Sequence, residues 1–159
     1  MPNTLAKNLR GDRVERLTLR SVFAVTPATT VTQAVRGMSD QQAGCALVTD
    51  AAGKLVGIFT ERDFLTRVVA AGMRADATAI ERVMSPAPRT VAPHDSVYDA
   101  VEAMASGNFR HLPVVRSDGT PVGVLSVKDV MRYLVEYFPA KVYNLPPTPD
   151  QTQPAREGA

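Results

Sequence analysis

Two aspartates, Asp63 and Asp129, each stand three residues after a hydroxyl, Thr60 or Ser126, and six after a glycine, Gly57 or Gly123; the phrases read GIFTERD and GVLSVKD. A hydroxyl followed three residues later by an acid, at the opening of an apolar helix, resembles a capping box, although the usual partner there is Glu or Gln. The same geometry offers a second chemistry. A helix N-terminus favours an anion such as phosphate, because its free N–H groups and its dipole point there. A carboxylate one turn on lies on the same side of the helix and can accept two hydrogen bonds from a vicinal diol. Phosphate and ribose together imply a nucleotide. The glycine on the preceding strand permits close approach of another backbone or of a flat ring, leaving room at a cleft.

Other reactive residues assemble less well. His94, Asp95 and Ser96 are neighbours in a turn, and adjacent residues cannot form a relay in which one side chain orients the next from a different element. They read as an N-cap cluster. His111 has no nucleophile partner, and two histidines with one cysteine leave zinc short of ligands. Cys45, before Ala46, Leu47 and Val48, reads as a buried strand residue. No catalytic or metal site is expected, and no cofactor is required. The net charge of +2 comes from 18 basic residues scattered among 16 acidic ones, which argues against a nucleic-acid partner. No run reaches the roughly 18 apolar residues of a membrane span. The N-terminus lacks the apolar core of a secretory signal. The expectation is a cytoplasmic protein without a membrane partner.

Two elements must position the two phrases alike, because the chain repeats itself. Sliding it by 66 residues aligns 14–69 with 80–135 without a gap, and 14 of the 56 pairs are identical, enough to fix the register of both glycines and both aspartates. Each copy reads as a short extended piece (22–25; 88–91), a Pro turn with N-cap hydroxyls, and a helix whose face in the second copy is Val97, Ala100, Val101 and Met104. Two apolar runs follow, separated by the hairpin chemistry of DAAGK and SDGT. A second helix then runs from Glu61 to about Ala71, closed by Gly72, and from Val127 to about Phe138, closed by Pro139. The fold class is thus α/β (α+β), two β-α-β-β-α repeats. Copies of this size are marginal alone. They are expected to pack about a pseudo-two-fold axis that creates two similar clefts. The division is an N-terminal extension (1–13), a first repeat (14–76), a second (77–140) and a Pro-rich tail (141–159) of extended or disordered character, in which Tyr143 and Leu145 could anchor the first part.

With GIFTERD, GVLSVKD and NFRHLPVV (108–115), residues 14–138 resemble a pair of CBS domains, the regulatory repeat named after cystathionine beta-synthase. The resemblance implies a non-catalytic sensor whose ligand is an adenine nucleotide or related adenosyl compound. It implies that Asp63 and Asp129 hold ribose hydroxyls in the two clefts and that Thr60 and Ser126 approach ribose or phosphate. The resemblance further implies that the base is held by the first strand of the opposite repeat, Thr90 and Val91 with Asp63 and Ala24, Val25 and Thr26 with Asp129, and that Arg110 and His111 stand where the family meets phosphates. Their first-copy counterparts, Gly44 and Cys45, bring no charge, so unequal clefts are expected. Arg62 and Lys128 either add charge or are simply solvated. The second helices carry Val130, Met131, Leu134, Val135 and Phe138, and the resemblance implies a homodimer of pairs through such helices. The expected output is dimer shape or recruitment of an unidentified effector protein, with no effector domain in the same chain. The rival reading is an interaction scaffold whose clefts stay empty.

Overall fold

The computed structural model describes residues 4–138; the expectations for the tail, Tyr143 and Leu145 included, and for Pro139 lie outside the described residues. In chain order the elements are α1 (Thr4–Gly11), β1 (Ala24–Val25), α2 (Val31–Asp40), β2 (Cys45–Thr49), β3 (Leu55–Thr60), and α3 (Glu61–Asp63), which continues as a π-helix over Phe64–Val69. Then come β4 (Ser85–Pro86), α4 (Val97–Gly107), β5 (His111–Val115), β6 (Pro121–Ser126) and α5 (Val127–Tyr137). Both β-α-β-β-α repeats are present.

Local chemistry explains the starts and stops. Thr30 caps α2 in a full capping box with Gln33, and Ser96 caps α4 by accepting from the Asp99 N–H. Gly53 and Gly119 turn the two hairpins with φ of 77° and 87°, backbone angles that cost a side-chain-bearing residue strain. The sheet around the first hairpin runs β1-β2-β3-β4, with β1 parallel to β2 and the other pairs antiparallel. Around the second hairpin, β5 and β6 are flanked by single bridges, Val91 to Val114 in parallel and Arg20 to Val124 in antiparallel sense. These are the counterparts of β1 and β4.

The segments leading into the repeats cross over. The Val14 N–H donates to Asp95 O at 2.9 Å and the Ile80 N–H to Thr29 O at 2.8 Å; these contacts are the same contact shifted by 66 residues. Val14 and Leu17 are buried in the core of the second repeat, with Val97, Leu112 and Leu125, while Ile80 and Val83 are buried in the core of the first, with Val31, Val48 and Phe59. Each core is completed by the other half's leader, so an isolated copy would lack part of its core. A third cluster of Cys45, Leu47, Ile58 and Val124 joins the sheets. On the axis, the Lys54 Nζ donates to the hydroxyl of its own counterpart, Thr120, at 3.0 Å.

Candidate functional site: two clefts between the repeats

The capping chemistry is present at both phrases. Asp63 Oδ2 accepts from the Thr60 N–H (2.9 Å) and hydroxyl (3.0 Å), and the Asp63 N–H donates to Thr60 Oγ1 (3.2 Å). Asp129 and Ser126 repeat the pattern, with Ser126 N–H to Oδ2 at 2.9 Å. Capping engages one carboxylate oxygen, Oδ2, and at Asp63 leaves Oδ1 to an ion pair with Arg67.

Two clefts, of about 670 and 640 Å³, open beside these helix starts. The larger is lined by Thr60, Asp63, Arg110 and His111, together with Ser85–Arg89 from the leader of the opposite repeat. The smaller is lined by Ser126, Arg110 and His111, and by Arg20 and Lys128; Asp129 is on neither surface. Arg110 and His111 face both clefts, together with Gly44, Glu61 and Leu65. The His111 ring lies so close over Gly44 that a Cβ there would come within 2.6 Å of Nε2. Burial lowers the His111 pKa from its ordinary value; Glu61 opposes this, and Arg20 and Arg110 reinforce it.

Other expected residues sit elsewhere. The Val91 N–H donates to Pro113 O (3.1 Å) and its carbonyl accepts from the Val115 N–H (2.8 Å), so its main chain is already used by the sheet. Thr90 is exposed, and neither residue is on the cleft wall facing Asp63; Ser85–Arg89 build that wall. Ala24 and Val25 pair with Leu47 and Val48, and with Thr26 they line neither cleft. The room above the glycines is filled as well. A Cβ on Gly57 would meet Met84 Sδ at 2.4 Å, and one on Gly123 would meet Leu19 Cβ at 2.9 Å. The glycines admit side chains of the crossing leaders, Met84 and Leu19, rather than a flat ring, and the leaders pair beside them, Pro86 with Gly57 and Arg20 with Val124.

The sequence reading missed Arg20, Arg67, Arg89 and Phe109. Arg67 Nε is 3.5 Å from Asp63 Oδ1, and its Nη1 donates to Val83 O and Met84 O, tying the carboxylate to the leader. Phe109, 41% exposed, folds over Gly107 at the rim of the larger cleft. Arg89 and Arg20 sit in the leaders, which the repeat frame assigns to the wrong half of the core; the aligned pair Arg20/Pro86 is the available signal. Cys45 is buried, its thiol pKa pushed up to about 12 by desolvation, as befits an inert core residue. Among the described residues no cluster of three or more His, Cys, Asp or Glu is placed to hold a metal ion, and no helix is long and apolar enough to cross a membrane.

The chain is similar to a CBS domain protein from Pyrobaculum aerophilum complexed with AMP (30% identity, TM-score 0.69, covering 74% of this chain and 89% of that one). It is also similar to a putative signal-transduction protein with CBS domains from Burkholderia ambifaria (28%, TM-score 0.70, 84% and 95%). Among curated relatives it is 32% identical over 124 residues to an uncharacterised 17.7 kDa protein of Acidianus ambivalens, covering 78% of this chain and 74% of that protein. A CBS domain-containing protein of Arabidopsis thaliana is 36% identical over 118 residues, but these amount to only 21% of its length. The CBS domain family matches residues 14–70 and 80–136, the two stretches that carry the crossed cores and both capped aspartates, and the chain belongs to that family.

Proposed function

We propose that this protein is a non-catalytic, cytoplasmic sensor that binds an adenine nucleotide between its two repeats and signals through the shape of a homodimer or through an effector protein. The observation that carries this reading is the larger cleft. There a capped carboxylate, Asp63, lines a cavity that Arg110 and His111 also line. A carboxylate suited to a diol and a guanidinium suited to phosphate thus share one space of nucleotide size. Ser126, in the smaller cleft, and Asp129 behind it form the equivalent group. AMP in the Pyrobaculum relative supports the choice of ligand class. An exposed apolar stripe on the second helices supports the dimer: Leu65 and Val69 (60% and 56% exposed) on one repeat, and their counterparts Met131 and Val135 (51% and 39%) on the other.

A thermal-shift screen with AMP, ADP, ATP, GTP and S-adenosylmethionine tests the reading. At about 100 times its dissociation constant, a ligand of the native state adds about 2.7 kcal/mol, a rise of several degrees for a chain of this size. The shift is expected with adenine compounds and lost in Asp63→Ala. No shift with any compound in folded protein would favour the scaffold reading.

A further inference from the structure

The smaller cleft departs from the larger at the residue that faces its carboxylate. Pro86 and Arg20 are counterparts 66 residues apart; Pro86 pairs with Gly57 on the wall of the Asp63 cleft, and Arg20 bridges to Val124 on the wall of the other. Proline has no side-chain polar group. Arg20 places Nε 3.6 Å from Asp129 Oδ2, the oxygen that already accepts from the Ser126 N–H and hydroxyl. The other oxygen faces Arg132 Nη1 at 3.4 Å. The counterpart of Arg132 is Thr66, whose hydroxyl is turned away to Arg62 O.

Both oxygens of Asp129 therefore have guanidinium partners, one from its own helix and one from the leader bridged to Val124. The Asp129 side chain is 2% exposed, against 10% for Asp63. Asp63 also has an arginine, but Arg67 comes from its own helix and is held by the Val83 and Met84 carbonyls, and the carboxylate remains on the cleft surface. A vicinal diol needs acceptor positions that face the cavity. Asp129 is not on the cleft surface; Arg20, which is, stands at its Oδ2, and displacing it would leave a buried carboxylate with one charge partner fewer.

We propose that Arg20 is a specificity-determining residue that closes the Asp129 cleft to ribose, so that one chain holds one nucleotide, at Asp63. This rests on the nucleotide reading of the Asp63 cleft. Calorimetric titration of the full chain with AMP separates the two. Wild type is expected to bind one AMP per chain, and Asp63→Ala to bind none. Arg20→Ala is expected to bind two, with the second site at least about tenfold tighter than any second site in wild type, and Arg20→Ala/Asp129→Ala to return to one. Arg20→Gln, which keeps the aliphatic stem and the main-chain pairing with Val124, gives the same reading should the alanine variant fold poorly. Two equivalent AMP molecules in wild type, a single site lost on Asp129→Ala instead of Asp63→Ala, or one site unchanged in folded Arg20 variants would each overturn the role of Arg20. Absence of AMP binding in wild type would remove the parent reading itself.

Discussion

At the scale of single residues, each aspartate caps its helix through Oδ2 and meets an arginine of its own helix at Oδ1, and the proposed ligand role turns on what else faces the carboxylate. Asp63 and Asp129 were legible from spacing alone because a helix cap is a local structure, set by residues three apart. Arg20 was not, since nothing local connects residue 20 with residue 129. His111 has the same character. Its ring is lodged over Gly44 between the clefts, and burial lowers its pKa below the ordinary value near 6.5. The folded state therefore binds a proton less readily than the unfolded chain. The His111 contribution to stability is complete above about pH 6.5 and is lost as pH falls below that value toward the depressed folded pKa, with a slope of at most about 1.4 kcal/mol per pH unit for one proton. Urea unfolding between pH 5 and 8 is expected to show this decline, and His111→Gln to flatten it. An equal slope in the variant would assign the decline to other groups.

At the scale of elements, hairpins and first helices follow the sequence reading, because Gly turns, hydroxyl caps and apolar periodicity act over a few residues. The second helix of the first repeat does not follow it. In place of an α-helix to about Ala71, Phe64–Val69 form a π-helix, with the Ala70 N–H donating to Leu65 O and the Met73 N–H to Val68 O, while Val68 stays in the core. In α5 the expected broad apolar face divides. Val130 is buried, Leu134 and Phe138 pack against the core, and Met131 and Val135 are left outward. The leaders are the other departure, since they belong by sequence to one repeat and by packing to the other. Ile80, fully buried in the core of the first repeat, tests this. Ile80→Ala is expected to cost about 2–5 kcal/mol in equilibrium unfolding, the range for a buried aliphatic truncation. A cost below about 1 kcal/mol would mean that the linker does not complete that core.

At the scale of the whole molecule, the equivalence of Leu65 with Met131 and of Val69 with Val135 gives the pair an apolar face that itself obeys the pseudo-two-fold axis. Such a face suits a second copy, because an isologous interface buries the same patch on both partners. Light scattering coupled to gel filtration is expected to show a dimer for wild type and a monomer for Leu65→Glu/Met131→Glu, with the fold retained by circular dichroism. A monomeric wild type would turn the face toward a different partner. By itself the sequence determined the two copies, their order of elements, their turns and caps, and the capped aspartates. All of these depend on residues close along the chain or on a repeat visible by superposing the chain on itself. Only the tertiary structure decided that the leaders cross, that Met84 and Leu19 fill the space over the glycines, and that Arg20 stands against Asp129 where Pro86 stands near Asp63. These contacts join residues far apart in sequence. Their geometry comes from how two marginal half-cores close on one another, and no local propensity records it.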